Sequence, residues 1–461
     1  MMARGKKKES ALTPEEKLAQ ALVPVEEQPY KVPENWCWVK LSALSTLISK
    51  GTTPTGGKNA YVSEGVHFLR VENINDDGTI SHDNIACVTE QMHTGFLKRS
   101  VLENRDVLVS IAGTLGKTGI VRDIDLPLNT NQAVAFVRLK TEDVNERYIK
   151  GVIDNPITQE LLLGKTKVTS IPNLTLEIIG DCLIPLAPIA EQQRIVDRIE
   201  YLFAKLDETK EKAQSVLDSF ETRKAAILHK AFTGELTAKW RAEHGLDMGS
   251  WKLAKFSDVL DVRDGTHDSP QYYDTGYPLV TSKNLKDGRI TDKDIKYICQ
   301  EDYDKINERS KVDIGDILFA MIGTIGNPVV VQAEPHFAIK NMALFKSVGK
   351  INPFFVKYYL ESKTVMDKMQ KEAKGSTQKF VALGYLRAFP IDVPMEQEQD
   401  EVVRILDSLF AKEQQAKEAA EAVLEKIDLM KKSILARAFR GELGTNDPKD
   451  KSAVELLKKV I

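Results

Sequence analysis

A chain of 461 residues has room for two or three domains by the rough prior of about 100 to 200 residues each. Its 64 Lys and Arg against 67 Asp and Glu leave a net charge of -3, so there is no global basic field and any nucleic-acid binding must come from local patches. Four widely spaced cysteines (Cys37, Cys87, Cys182, Cys299) form no Cys-x-x-Cys, which argues against a disulfide framework and a zinc site. The charged start has no apolar signal core and no run of about 18 apolar residues follows, so the expected location is the cytoplasm, without membrane contact.

Thr13-Pro14-Glu15-Glu16 carries a capping residue, a proline at the first helical position and a carboxylate three residues after the cap, which predicts a short helix through about Leu22. Pro24, Pro29 and Pro33 then make an extended arm, so residues 1–35 are read as a helix and arm. From Trp36 to Ala187 a globular unit has strand signals at 66–71, 107–111 and 133–139 and a helical stretch at 147–163, which predicts mixed α and β structure. The period changes near Ile189. Ile195, Ile199, Leu202, Leu206, Ala213, Leu217, Phe220, Ile227 and Ala231 fall on heptad seam positions, with no Pro or Gly before Gly234. Residues 188–234 are therefore expected to be one helix of about 60 Å, ended by a glycine suited to a left-handed cap. A linker at 235–250 leads to a second unit at 251–394, a second long helix at 395–440 and a tail at 441–461, whose amphipathic segment at 453–460 has no assigned role. The fold class is α+β: two mixed α/β units separated by two long antiparallel coiled-coil helices.

The chain says much the same thing twice. Ile227, Leu228, Ala231, Phe232, Gly234, Glu235 and Leu236 return 207 positions later as Ile434, Leu435, Ala438, Phe439, Gly441, Glu442 and Leu443. Asp106, Leu108, Gly113, Thr114 and Gly116 return as Asp316, Leu318, Gly323, Thr324 and Gly326. The second helix carries Val402, Leu406, Leu409, Glu413, Ala420, Leu424, Ile427, Ile434 and Ala438 on the matching seam; Glu413, opposite in kind to Leu206, predicts looser packing at that level. A repeat this long means two domains, not solenoid units of about 20 to 50 residues. Stretches 75–103 and 286–312 between matched anchors show little similarity, which suggests one task performed on two targets.

Catalytic signatures are missing. Gly116-Lys117-Thr118 lacks the earlier glycine of a phosphate loop, and its repeat reads Gly326-Asn327-Pro328, so the glycines are read as a tight turn after a buried strand. Asp154-Asn155-Pro156-Ile157 and Asn352-Pro353-Phe354-Phe355 lack the second proline of an adenine methyltransferase motif, and no glycine-rich nucleotide fingerprint occurs. The histidines have no paired ligand spacing, so no catalytic residue, metal or cofactor is assigned. Polar, basic loops recur at matching places: Lys50, Gly51, Thr52 and Thr53 with Lys165 and Lys167 in the first unit; Arg263, Thr266 and His267 with Lys374, Ser376, Thr377, Gln378 and Lys379 in the second. Glycine lets backbone approach a phosphate, and these side chains donate to phosphates or base edges. The plain alternative is a solvated loop.

The constellation resembles the specificity subunit of type I restriction-modification systems. The carriers are the duplicated Pro188, Glu191-Gln192, Ile195 and Pro394, Glu398-Gln399, Val402 entries into long helices, the helix endings 231–236 and 438–443, and the repeated Asp and Gly-Thr-x-Gly elements. The resemblance implies two target-recognition domains reading the two halves of a split, asymmetric sequence in double-stranded DNA. It implies two modification (methyltransferase) subunits and restriction (translocase and nuclease) subunits as partners, with methyl transfer and cleavage belonging to them. Phe232, Glu235, Phe439 and Glu442 are then expected to form two equivalent partner sites, unless the two rings merely staple each helix to a neighbouring domain. A bipartite protein-binding scaffold without DNA contact is the alternative reading, and an enzyme of unrecognised type a third.

Overall fold

The computed structural model describes residues 13–164, 173–375 and 379–461, and the chain divides into two compact units: residues 1–212 with 423–461, and residues 213–422. In the first unit the strands are β1 (Cys37–Lys40), β2 (Ser45–Lys50), β3 (Val66–Leu69), β4 (Ala86–Val88), β5 (Val107–Ser110), β6 (Thr118–Ile120), β7 (Leu128–Thr130), β8 (Val134–Leu139) and β9 (Leu183–Leu186). They form a four-stranded antiparallel sheet β2-β8-β5-β6, a three-stranded sheet β4-β3-β7 in which β3 and β7 run parallel, and a β1-β9 pair that ties the ends of the domain together. Period-two alternation explains why β5 is buried on both faces. Val107 and Val109 enter the large core beneath the helix Glu146–Asp154, while Leu108 points the other way to Leu69, Ile74 and Phe136.

The second unit repeats the plan. Its strands are β10 (Lys252–Lys255), β11 (Leu260–Asp264), β12 (Tyr277–Thr281), the short β13 (Leu285–Lys286) and β14 (Arg289–Ile290), β15 (Lys296–Ile298), β16 (Ile317–Ala320), β17 (Gly326–Val330), β18 (Ala338–Lys340), β19 (Ala343–Ser347) and β20 (Pro390–Val393). The sheets are β11-β19-β16-β17, β15-β12-β18 and β10-β20, strand for strand the arrangement of the first unit, with a β13-β14 hairpin added. Ile317 and Phe319 face one core and Leu318 and Ala320 the other, as in β5.

The two long helices are Ile189–Phe232 and Glu396–Ala438. Gly234 and Gly441 follow them at φ of 78° and 76°, the left-handed cap their sequence predicts. Within the first unit, Ile195, Val196 and Ile199 share a core with Leu435 and Ala438, and Lys431 bonds Asp207 at 2.6 Å. Within the second, Leu228 and Ala231 share a core with Val402 and Leu406, and Arg223 bonds Glu413 at 2.8 Å. In each unit low numbers on one helix meet high numbers on the other, so the segments run antiparallel. The Glu413 seam position is thus filled by an ion pair; the repeat places Leu206 and Met430 at the corresponding positions of the first unit.

The Glu-Gln pair at each helix entry has a structural reason. Gln192 accepts from the Asn145 backbone N–H at 3.0 Å and donates to the Ala187 carbonyl; Gln399 does the same with Asn352 at 2.7 Å and Pro394. Asn145 and Asn352 cap the helices Glu146–Asp154 and Pro353–Glu361, so each glutamine locks a domain helix onto a long helix. Glu191 is buried and accepts from Trp36 Nε1 at 2.7 Å and from Asn446, whereas Glu398 is buried against Arg241 at 2.6 Å and Thr237 at 2.7 Å.

At the termini, Thr13 and Glu16 form the expected capping box, and the first helix runs Pro14–Ala21. The tail, for which the sequence suggests no role, is structural. Its helix Ala453–Val460 buries Ala453, Leu456, Leu457 and Val460 in the first unit's core, and the Ala453 N–H donates to the Asn35 carbonyl at 2.9 Å.

Candidate nucleic-acid interface

Sheet register brings the polar loops to one end of each four-stranded sheet. In the second unit β11 and β16 both pair antiparallel with β19, so they run in the same direction, and Asp264 and Phe319 both stand opposite Ala343. The loop after β11 and the Gly323–Gly326 turn after β16 therefore leave the sheet at the same end. The same holds in the first unit, where Lys50 and Val109 both oppose Ala135. Across that end lies a further loop, because the Gly323 N–H donates to the Lys379 carbonyl and the Val381 N–H to the Met321 carbonyl. In the first unit the Leu174 N–H does so to the Ile111 carbonyl.

In the second unit the loop is densely bonded. His267 donates from Nδ1 to Asn341 at 2.9 Å and from Nε2 to Asp264 at 3.0 Å. Only an imidazolium donates from both nitrogens. The Asn341 bond first and the Asp264 carboxylate next raise the His267 pKa above its ordinary value, against partial burial. Asp264 also pairs with the exposed Arg309, whose backbone carbonyl accepts from Arg263 at 2.9 Å while Arg263 Nε bonds Asp261. Arg263 thus braces Arg309 from the scaffold. Lys340 Nζ donates to Ser269 at 2.7 Å and reaches the hydroxyl of the half-exposed Tyr272 at 3.5 Å. The Thr266 N–H is held by the Ile339 carbonyl, and its hydroxyl accepts from the Asp268 N–H.

In the first unit Thr52 accepts at its hydroxyl from the exposed Arg99 at 3.1 Å and donates its N–H to the Thr130 carbonyl at 3.1 Å. Lys50 and Thr53 are exposed beside it. At Gly51 an added methyl would collide with the Asn131 and Thr130 carbonyls, so packing against the β7 turn also requires this glycine. Gly265 stands likewise against Ile339. Lys374 is exposed, with its backbone bonded in both directions to Phe380, next to Lys379. Lys165, Lys167, Ser376, Thr377 and Gln378 lie outside the described residues.

Arg99 and Arg309 are missing from the sequence reading although Arg99-Ser100 and Arg309-Ser310 repeat in step. Both serines are buried; Arg99 reaches Thr52 in the loop after β2, and Arg309 reaches Asp264 at the end of β11. The signal was there, two residues in a stretch otherwise without similarity.

Of the predicted partner residues, Glu235 and Glu442 are exposed. Phe439 is fully buried against Tyr148, and Phe232 is half-buried against Phe355 and Tyr359. Both rings pack the helix ends onto domain helices. Asp106, buried, binds Arg138 at 2.8 and 3.0 Å and the Glu103 N–H; Asp316 binds Lys346 at 2.9 Å and the Ser347 N–H. These repeated aspartates anchor strand ends. Burial raises the Asp106 pKa despite Arg138.

Residues 33–217 and 248–426 match the family described as the type I restriction modification DNA specificity domain, once for each unit of the repeat. The chain belongs to this family. Among its relatives are the type I restriction enzyme EcoKI specificity subunit of Escherichia coli, 23% identical with 90% of each chain covered, and the MjaVIII specificity subunit of Methanocaldococcus jannaschii, 24% identical over 86% of this chain and 92% of that one. The crystal structure of the HsdS subunit from Thermoanaerobacter tengcongensis shares the fold, with a TM-score of 0.66 and 20% identity over 91% of this chain and all of that chain. As a type I restriction-modification specificity subunit, the protein has target recognition as its family role, and enzymatic activity in such systems lies in other subunits. Among the described residues no helix is long and apolar enough to cross a membrane.

Proposed function

We propose that the chain reads a split, asymmetric sequence in double-stranded DNA, one half with each domain, and that the loop ends of the β2-β8-β5-β6 and β11-β19-β16-β17 sheets do the reading. The observation that carries this is a repeated scaffold with unlike loops: Arg99 and Thr52 at one, Arg309, His267 and Lys340 at the other. Cations held at fixed positions contact phosphates, and the donors beside them read base edges. Lys50, Thr53, Thr266, Lys374 and Lys379, with Lys165, Lys167, Ser376, Thr377 and Gln378, belong to the same proposed surface, in which Arg263 braces Arg309. The chain is non-catalytic in this reading and acts in the cytoplasm. Two modification subunits transfer the methyl groups, and restriction subunits join that assembly. Glu235 and Glu442, exposed at equivalent helix ends, are the proposed partner contacts there. The long helices fix the distance between half-sites.

The test is methylation sequencing of DNA exposed to the purified chain with its modification partner. A split adenine motif with unlike halves supports the reading. No sequence-specific methylation, with the complex intact, leaves the protein-binding scaffold.

A further inference from the structure

The first domain contains a histidine pair that the recognition loops do not use. His67 on β3 and His82 in the following loop turn their Nδ1 atoms toward each other at 3.3 Å, with ring planes 59° apart. On its far side His82 Nε2 donates to Asp125 Oδ1 at 2.9 Å, and Asp125 is buried and fixed by the Arg122 N–H at 2.8 Å. That bond assigns the proton of neutral His82 to Nε2 and leaves a lone pair on Nδ1.

Two nitrogens bound at about 2.0 to 2.1 Å to one tetrahedral ion stand about 3.3 to 3.4 Å apart. The His67–His82 separation matches that chord. A carboxylate on the second nitrogen of a ligating histidine is the recurrent support of such sites, since it sets the tautomer and the ring orientation. Two independent features, the facing lone-pair positions and the carboxylate behind one of them, thus point the same way.

We propose that His67 and His82 bind a divalent transition-metal ion of the zinc type through their Nδ1 atoms, with Asp125 as the positioning residue behind His82. No group of three or more His, Cys, Asp or Glu able to hold a metal occurs among the described residues, so water completes the coordination. His82 is partly exposed, which gives water that access. The repeat places Pro278 opposite His67 in the second domain, so the site belongs to one domain alone. A bound ion would tie the 80–85 loop to β3, three residues before Arg70.

The experiment uses tag-free full-length protein titrated with ZnCl2 by calorimetry and with CoCl2 by visible absorption, followed by thermal melting with and without zinc. One equivalent of zinc is expected to bind and to raise the melting temperature. His67→Gln and His82→Gln should each lose at least tenfold in affinity, His336→Gln none, and Asp125→Asn about 10- to 100-fold. Circular dichroism separates loss of metal from loss of fold, and the two glutamine variants serve if Asp125→Asn unfolds. The proposal is overturned if the wild type binds no zinc at 1:1, or if both glutamine variants bind it undiminished; the facing rings then share a proton and nothing more.

Discussion

The Phe439 ring meets the Tyr148 ring edge-on, centroids 5.3 Å apart, at the end of the second long helix. Tyr148 lies on the helix capped by Asn145, the helix that Gln192 holds against the first long helix. One domain helix is therefore gripped by both long helices. Removing a buried Phe costs about 3 to 5 kcal/mol, so Phe439→Ala should lower stability by that order. Phe232→Ala, at the half-buried equivalent, should cost less. Denaturant unfolding of the two variants checks the ranking. Equal effects would mean that burial at these ends does not set their contribution.

Much of this was legible in the sequence, for a physical reason. A 207-residue offset held without gaps requires equivalent backbone, and the heptad stripe with a following glycine defines a helix from its first to its last turn. What was not legible depends on distant partners. Glu413 looked like a defect until Arg223, 190 residues away in sequence, came beside it. That Gly51 also has to be glycine for β7 to pack against it shows only in the fold. Arg99 and Arg309 carry only a two-residue repeat, and tertiary contact is what reveals that each reaches the predicted loop.

The Arg223–Glu413 pair is partly buried, so its attraction and its desolvation nearly balance. Replacing both together by Met and Leu, the residues that the first unit carries at the corresponding positions, should be neutral or stabilising. Glu413→Leu alone should destabilise, since it leaves Arg223 at the seam without its carboxylate. A double-mutant cycle on thermal unfolding measures the coupling; additive single effects would remove the pair from any role in packing.

Arg99 is exposed and its side chain bonds Thr52, so Arg99→Ala should leave the fold unchanged. If the guanidinium contacts a phosphate, DNA affinity of the complex should fall for all sequences and the slope of log K against log salt should shrink by about 1. Fluorescence anisotropy across a salt series reads both. An unchanged slope and affinity would take Arg99 off the interface.

His267 gives a pH signature. Its folded pKa is raised, so the stabilisation it adds is fully present below its ordinary value of about 6.5 and is lost as pH rises through the raised value. The wild-type melting temperature should therefore decline relative to His267→Gln as pH is taken upward from 6.5. The difference should be small, because the ring is half exposed and screened. DNA affinity should fall over the same window if the imidazolium faces a phosphate. A variant with the same pH profile as wild type would show that the Asn341 and Asp264 bonds do not depend on the charge.

The proposed role of the long helices as a spacer makes the most demanding prediction. Ala213 and Ala420 are equivalent positions, both buried, in helices that run antiparallel within each unit. Seven extra residues after one of them alone would put the two seams out of step and should weaken folding, because knobs no longer meet holes. Seven after each keep the seams matched and lengthen both helices by about 10 Å, at 1.5 Å per residue. At about 3.4 Å per base pair, that distance corresponds to a gap longer by about three base pairs. Added base pairs also turn one half-site around the DNA axis, so methylation should be assayed on a library covering every spacer length. A shift to a longer gap with both half-sites unchanged supports the helices as the spacer. Retained methylation at the original gap would show that something other than their length sets the spacing.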